Sequence, residues 1–226
     1  MQVGILGGTG PAGRALAARI AATGAPVAIG SRDEARAASV AKEIRELWPD
    51  RKLEITGATN DWAAKSSSLI IHATVYEAAA ETAARLAREL SGKVLISIAN
   101  GMSRVGGELQ AVVPARGSIA ATLQGILPDT KVAAAFHHLP AKEFADIAHP
   151  IESDVLICAD DEEAAEATVT LVESIPGLRA LRAGSLASAG AVEALTAVLV
   201  NVNVRYRCHT TLHLMGVPVE PGPSHP

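Results

Sequence analysis

The sequence predicts an α/β protein with a doubly wound, mostly parallel sheet and a small C-terminal α/β lobe. Short apolar segments alternate with amphipathic ones over the first two-thirds of the chain, which is typical of parallel strands joined by helices on both faces. Beyond about residue 150, two more strand-like segments precede one long apolar segment. We therefore expect one domain over residues 1–150 and a smaller, cleft-forming and dimerising domain over residues 151–226.

Hydrophobic periodicity locates the individual elements. Apolar runs bounded by Gly, Pro or polar residues predict buried strands, and amphipathic runs predict the helices between them. Strands are predicted at 3–6, 26–30, 53–58, 68–74, 93–100, 131–136, 154–161 and 178–184. Helices are predicted at 11–23, 33–48, 76–89, 118–127, 162–174 and 187–210, and the Pro-rich residues 219–226 are predicted to be loose.

Composition argues against two classes of partner. The net charge of −4 offers no basic surface for nucleic acid. Cys158 and Cys208 lie far apart, which favours unbridged thiols in a reducing, cytoplasmic compartment. The apolar segment 187–210 contains Glu193, Asn201 and Asn203, so we expect a helix of a soluble protein and no membrane span.

A glycine-rich turn follows the first predicted strand and opens the first predicted helix. We expect Gly8 to allow the tight turn, Gly10 to admit a pyrophosphate, and Gly13 to let helix and strand pack closely. The free N–H groups of the helix would then bind the phosphates. The turn consists of Gly8, Thr9, Gly10, Pro11, Ala12 and Gly13. Within a βαβ pattern, this spacing predicts a Rossmann-type dinucleotide site.

The end of the second predicted strand indicates which dinucleotide binds. NAD-binding sites carry an acidic residue there for the ribose 2′-hydroxyl, but this chain has Ser31 and Arg32, with Arg36 one helical turn further on. A hydroxyl and two guanidinium groups favour a 2′-phosphate. Asp33 is interpreted as the N-cap of the following helix. We therefore predict NADP(H) as the cofactor.

Polar residues at three further strand ends are candidates for the reacting end of the site, because ligands of parallel sheets bind beyond the carboxyl ends of the strands. Thr74 and the pair Ala99 and Asn100 would meet the nicotinamide ribose or its ring. His137 and Asn100 are the candidate catalytic residues. Strand alternation lets only one of His137 and His138 face the cleft, and we favour His137.

No metal is predicted, because no Cys/His cluster with ligand spacing accompanies the two adjacent histidines. A third histidine, His72, lies inside an apolar strand and is interpreted as a core residue. Neither Tyr76 nor Tyr206 has a lysine at the spacing that a carbonyl reductase needs for its proton donor. These observations favour a hydride acceptor that is itself an electron sink, such as a second cofactor with a flat conjugated ring.

Several longer segments resemble NADPH-dependent reductases of the deazaflavin coenzyme F-420, hereafter F420. The resemblance runs from Val3 to about Val217, and its most specific parts are AFHHLPA and VEALTAVLVNVN. It implies hydride transfer between NADP(H) and C5 of an 8-hydroxy-5-deazaflavin, a Rossmann domain with a small C-terminal domain, and a homodimer with the long helix as its seam. Further matching segments are GILGGTGPAG, GSRD, IIHATVYEAA, VLISIANGM and PARGSIAATLQ.

The resemblance also implies a set of cofactor contacts. The phosphate and ribose contacts would be Thr9, Gly10, Pro11, Ala12, Ser31, Arg32 and Arg36, and the nicotinamide contacts Thr74, Ala78, Asn100 and His137. Two alternatives stay open at the level of sequence: an NADPH-dependent reductase of a flavin or of a small carbonyl or imine, and a non-catalytic NADPH-sensing module.

Overall fold

The computed structural model describes residues 1–218, so the predicted loose tail, 219–226, lies outside the described residues. The strands are β1 (Val3–Leu6), β2 (Val27–Ser31), β3 (Ile55–Thr59), β4 (Leu69–His72), β5 (Val94–Ser97), β6 (Met102–Val105), β7 (Glu108–Ala111), β8 (Lys131–Ala134), β9 (Ser153–Ala159) and β10 (Leu178–Gly184). The helices are α1 (Pro11–Ala22), α2 (Glu34–Leu47), α3 (Asn60–Ser66), α4 (Tyr76–Arg85), α5 (Ala87–Leu90), α6 (Ile119–Ile126), α7 (Ala141–Phe144), α8 (Glu162–Glu173) and α9 (Leu186–Tyr206).

Eight strands form one sheet in the order β10-β9-β8-β5-β4-β1-β2-β3. All neighbouring pairs are parallel except β8 and β9. The chain proceeds outward from β1 through β2 to β3, then crosses back to β4 on the other side of β1. This reversal between β1 and β4 is a topological switch point, where the carboxyl ends of the strands open a crevice for a ligand.

Helices cover both faces of the sheet and enclose two hydrophobic cores. Alternate residues of the central strands point to opposite faces, so Ile5 belongs to the core shared with α1, α2 and α8, whereas Leu6 belongs to the core shared with α3, α4 and α6. The inner face of α9 contributes Leu186, Ala189 and Val192 to the second core. Burial on both faces explains why these strands are continuous apolar runs in the sequence. The predicted fold class is confirmed.

Some local features differ from the predictions. Residues 102–111 form the hairpin β6–β7, turning at Gly106 and Gly107, where no strand was predicted. The strand expected to reach residue 136 ends at Ala134, because Phe136 has a left-handed φ of 63° that no strand accommodates. Strands β9 and β10 belong to the same sheet as the strands of the first 150 residues. The division of the chain at residue 150 is not tested by this and stays a prediction.

The helix α9 is tied to the rest of the chain by buried polar groups. Within residues 1–218 it is the one helix that could cross a bilayer by length and composition, and 28% of its most apolar stretch is buried. The Glu193 carboxylate accepts hydrogen bonds from the N–H groups of Ile119 (2.8 Å) and Ala120 (3.1 Å) at the start of α6. On the same helix, the Asn201 amide pairs with both backbone polar groups of Leu109 in the hairpin.

Candidate active site

The glycine turn between β1 and α1 has the backbone geometry of an anion site. The left-handed residue is Gly7, with φ of 68°, and not Gly8 as we expected from the motif. Gly8 is instead required by packing, since an added Cβ would lie 2.9 Å from the Ile5 carbonyl oxygen. Helix α1 then begins at Pro11, and its N-cap residue, Gly10, provides no side-chain cap. Its first N–H groups therefore face outward without a side-chain acceptor.

Gly10 and Gly13 are glycines for different reasons. An added Cβ at Gly13 would lie 2.6 Å from Cα of Gly8, so the third glycine allows the helix to pack against the turn. A Cβ added at Gly10 would meet only the Gly7 carbonyl oxygen, at 3.8 Å, and the φ of −76° at Gly10 suits any residue. Nothing in the described protein requires a glycine at position 10. A ligand pressed against the backbone there would require one, and the turn therefore fits a pyrophosphate.

Asn60 supports the turn from below, and sequence reasoning missed it. Its side chain is 2% exposed, and its Oδ1 accepts a hydrogen bond from the N–H of Gly7 at 3.0 Å. The same oxygen would lie 2.7 Å from a Cβ at Gly30, so β2 needs a glycine beside it. Asn60 follows the carboxyl end of β3, directly after Thr59. Reading that strand end as we read β4, β5 and β8 would have found it.

A cavity of about 210 Å³ lies between the glycine turn and the carboxyl ends of β2 and β4. At its edge, the Ser31 hydroxyl accepts a hydrogen bond from the N–H of Asp33 (3.2 Å). Asp33 accepts one from the N–H of Arg36 (3.1 Å), which confirms its role as the N-cap of α2. The cavity is lined by Gly7, Thr9, Gly10, Ser31, Arg32, Arg36, Asn60, Ala73, Thr74, Val75, Ala78 and Thr82.

Arg32 and Arg36 provide the positive charge of this cavity. Both are exposed, and neither guanidinium has a hydrogen-bond or ion-pair partner within residues 1–218. No acidic side chain lines the cavity. An arginine pair with free donors beside a serine is chemically suited to a phosphate monoester, because each guanidinium can bind two phosphate oxygens at once.

A second cavity, of about 50 Å³, lies on the other side of α1 at the ends of β5 and β8. Its polar centre is His137, whose side chain is buried and whose two ring nitrogens have no partner among the described residues. Burial, with repulsion from His138, lowers the pKa of His137 to about 3, so the ring is neutral at physiological pH. The lining residues are Ala12, Ala15, Leu16, Ile98, Asn100, Phe136, His137, Leu139, Ala141 and Phe144.

The two adjacent histidines have separate environments. The Nε2–H of His138 donates to the carbonyl oxygen of Asp154 at 2.6 Å, so this ring lies against β9. His137 lines the cavity instead, as we favoured. The left-handed backbone of Phe136, a buried aromatic residue, sets this division by turning the chain just before the pair. Such backbone outliers in bulky residues are concentrated at functional sites. His72 is fully buried in β4.

Asn100 is held by the protein on both sides of its amide. Its Nδ2 donates to the His137 carbonyl oxygen at 3.0 Å, and its Oδ1 accepts from the Thr196 hydroxyl at 3.2 Å. The same hydroxyl lies 3.1 Å from the His137 carbonyl oxygen. Thr196 comes from the middle of α9, and no local sequence signal marks it. The long helix therefore reaches the backbone of the candidate reacting end.

Most predicted site residues converge at the crevice. Three of the exceptions, Gly8, Gly13 and Ala99, are buried beneath it, and Pro11 opens α1. The first cavity brings together Thr9, Gly10, Ser31, Arg32, Arg36, Thr74 and Ala78, and the second brings together Ala12, Asn100 and His137. Within residues 1–218, no three His, Cys, Asp or Glu side chains are grouped as metal ligands.

The fold and this crevice together define a Rossmann-type, dinucleotide-dependent oxidoreductase. Residues 2–101 match the family described as NADP oxidoreductase coenzyme F420-dependent. The chain is 34% identical to the F420-dependent NADP reductase of Methanocaldococcus jannaschii, over 93% of this chain and 96% of the relative. It is 36% identical to that of Methanothermobacter marburgensis, over 92% and 94%. The chain belongs to the F420-dependent NADP reductase family.

Solved structures agree on the fold. A crystal structure from Arthrobacter sp. FB24 superposes with a TM-score of 0.80 at 23% identity, covering 95% of this chain and 99% of the other. At that identity the likeness concerns the fold alone. It includes the C-terminal segment after residue 150, because nearly the whole of both chains is matched.

Proposed function

We propose that this chain is an F420-dependent NADP reductase that transfers hydride directly between NADP(H) and F420. The nicotinamide and the deazaflavin supply the redox chemistry: the nicotinamide ring gives or takes the hydride, C5 of the deazaflavin takes or gives it, and a solvent proton balances the reduced deazaflavin. The observation that carries the proposal is the pairing of a phosphate-binding cavity at Arg32 and Arg36 with a second cavity centred on the unpaired ring of His137.

Different residues of the crevice would bind different parts of the dinucleotide. The α1 N-terminus and Thr9 would hold the pyrophosphate, while Ser31, Arg32 and Arg36 would hold the 2′-phosphate. Thr74 and Ala78 would border the nicotinamide side. Such a site accelerates the reaction mainly by proximity and orientation of the two rings.

We assign His137 and Asn100 distinct parts in that orientation. A neutral His137 can offer one donor and one acceptor to a bound ring without placing a second positive charge beside oxidised nicotinamide. Both polar atoms of Asn100 are engaged by Thr196 and the His137 backbone. These two hydrogen bonds let Asn100 position His137, and the second N–H of its amide stays available for contact with a bound ring, as we expected from the sequence.

We further infer a soluble, cytoplasmic homodimer with α9 at its seam. The outer face of α9 exposes Val198, Val204 and Tyr206 by 57%, 67% and 70%, an unusual amount for one helix of a monomer. These side chains line an open cavity of about 520 Å³ between α9 and the hairpin, which shares no residue with either cavity of the crevice. A second copy of the same surface, in which these side chains lie beside Arg104, Glu108 and Arg205, would cover them by two-fold symmetry.

An acceptor assay tests the reaction. We expect NADPH and enzyme to remove the visible absorbance of oxidised F420, and a His137→Ala variant to do so more slowly. Turnover of free flavin or of a cyclic imine without turnover of F420 would support a general NADPH-dependent reductase and contradict the proposal. Tight NADPH binding without turnover of any of these acceptors would support a sensing module and contradict it equally.

A further inference from the structure

Arg19 is a buried cation in the last turn of α1, on the side of the helix that faces α7. Its side chain is 5% exposed, and no carboxylate within residues 1–218 lies at ion-pair distance from it. The three N–H groups on its Nε and Nη2 instead face four backbone carbonyl oxygens. Nε donates to Phe144 (2.7 Å), and Nη2 lies within hydrogen-bonding distance of Asp146 (2.5 Å), His149 (2.7 Å) and Glu143 (3.3 Å).

Burying a charged guanidinium lowers the stability of the folded protein unless its hydrogen bonds satisfy groups that would otherwise lack a partner. Burial lowers the pKa of Arg19 from its ordinary value, although an arginine stays charged at physiological pH. Residues 143–149, which we call the anchored segment, have no regular structure beyond the end of the four-residue α7. Without Arg19, several of its carbonyls would be left without partners near the core.

The anchored segment leads directly into the wall of the His137 cavity. The ring of Phe144 lies under the guanidinium, with its centroid 5.2 Å from Cζ of Arg19. Phe144, Ala141 and Leu139 line one side of that cavity, and Ala12, Ala15 and Leu16 of α1 line the other. Helix α1 thus holds the glycine turn at its N-terminus and the cavity wall at its last turn.

We propose that Arg19 is a positioning residue that fixes the acceptor-side wall of the site against α1. The proposal rests on the proposed function, because it treats the His137 cavity as part of the acceptor site. Arg19 acts through Phe144 and the anchored segment, and it touches neither the phosphate cavity nor the glycine turn. A lysine cannot replace it, since an ammonium has three donors at one point and lacks the planar fork that reaches spread-out carbonyls.

The test compares Arg19→Lys and Arg19→Met with a matched control, Arg45→Lys. Arg45 also lies in the last turn of a helix and donates to a backbone carbonyl, that of Ile55, but lines neither cavity of the crevice. For both Arg19 variants we expect kcat/KM for F420 to fall about tenfold or more. The dissociation constant of NADPH should change by less than about twofold. Amide hydrogen exchange should accelerate in the anchored segment, and Arg45→Lys should change none of these quantities.

Three results would overturn the proposal. The first is an unchanged kcat/KM for F420 in both Arg19 variants. The second is an equal loss of NADPH affinity, which would make Arg19 a residue of the whole fold. The third is failure of both variants to fold, which would also show that Arg19 supports the whole fold and not this wall in particular. If the unaltered protein reduces no deazaflavin, the proposed function fails, but hydrogen exchange and NADPH affinity still show whether Arg19 fixes this wall selectively.

Discussion

Single side chains at the end of β2 are expected to determine whether the site binds NADPH more tightly than NADH. We predict that Arg32→Ala weakens NADPH binding about 10- to 100-fold, because charge-assisted hydrogen bonds to a phosphate are lost. NADH affinity should stay unchanged, since NADH has no 2′-phosphate. Titration of both nucleotides checks this, with Arg88→Ala, an exposed arginine of α5 that lines neither cavity of the crevice, as the control. Equal weakening of both nucleotides would contradict the assignment.

Asn60 offers a second prediction at the scale of one residue. Asn60→Ala removes the acceptor of the Gly7 N–H and leaves that part-buried donor without its protein partner, which costs about 1 kcal/mol. The glycine turn should loosen, so NADPH affinity should fall about tenfold while the protein stays folded. Calorimetric titration measures the affinity. The control is Asn201→Ala, which also breaks amide-to-backbone hydrogen bonds but in the hairpin, and it should bind NADPH normally.

Residue identity was enough to gather the predicted phosphate contacts in one cavity, and their binding role stays a prediction. Ser31, Arg32 and Arg36 are close in sequence, so their convergence follows from one strand and one helical turn. Asn60 and Thr196 reach the crevice from distant parts of the chain, and their contacts depend on strand order and helix packing. The position of His137 was predictable as a strand end, but its complete burial depends on the left-handed backbone at Phe136.

At the scale of elements, α6 and α9 are joined by the buried carboxylate of Glu193. Burial raises its pKa, although two N–H donors oppose this effect. Because the folded state holds the proton more tightly than the unfolded one, this group's contribution to stability is fully present below about pH 4.5 and declines as pH rises through the raised pKa. Relative to Glu193→Gln, the natural protein should therefore lose stability as pH increases from about 4.5.

Denaturant unfolding of both proteins across this pH range measures that difference. In the described part of the chain, Cys158 is the one other group whose pKa Glu193 helps to raise, to about 11, so the comparison is made at pH values well below the titration of thiols, where the contributions of other groups cancel. A difference in the free energy of unfolding that moves in favour of the natural protein as pH rises would contradict the prediction. Thr168→Val, which alters a buried hydroxyl bonded within α8, should give a difference that does not depend on pH.

Most elements could be predicted, because burial on both faces leaves continuous apolar runs in the strands and periodic faces in the helices. The hairpin β6–β7 could not, since its strands are short and mostly exposed and carry no clear apolar alternation. The adjacent pair Gly106 and Gly107 was its one signal, and both residues have positive φ as a tight hairpin turn requires.

For the whole molecule, the proposed dimer predicts a mass near twice the 23.2 kDa of one chain. Val198→Asp should shift sedimentation toward the monomer, because a charge in an apolar seam is costly to bury. Leu47→Asp is the matched control: Leu47 is 68% exposed at the end of α2 and lies outside the α9 surface. A monomeric natural protein, or a Val198→Asp variant that remains dimeric, would contradict the seam on α9.

The sequence by itself determined the fold class, because apolar and amphipathic segments alternate along most of the chain. It also determined the glycine turn and the preference for NADP(H), because both depend on residues within one βαβ unit. Only the tertiary structure decided how the reacting end is built. Thr196 meets Asn100 and His137 across a sequence separation of 96 and 59 residues, and Arg19 meets the anchored segment across more than 120. Contacts of that range arise when strands are ordered and helices pack on them, and no local pattern of residues encodes the partner in advance.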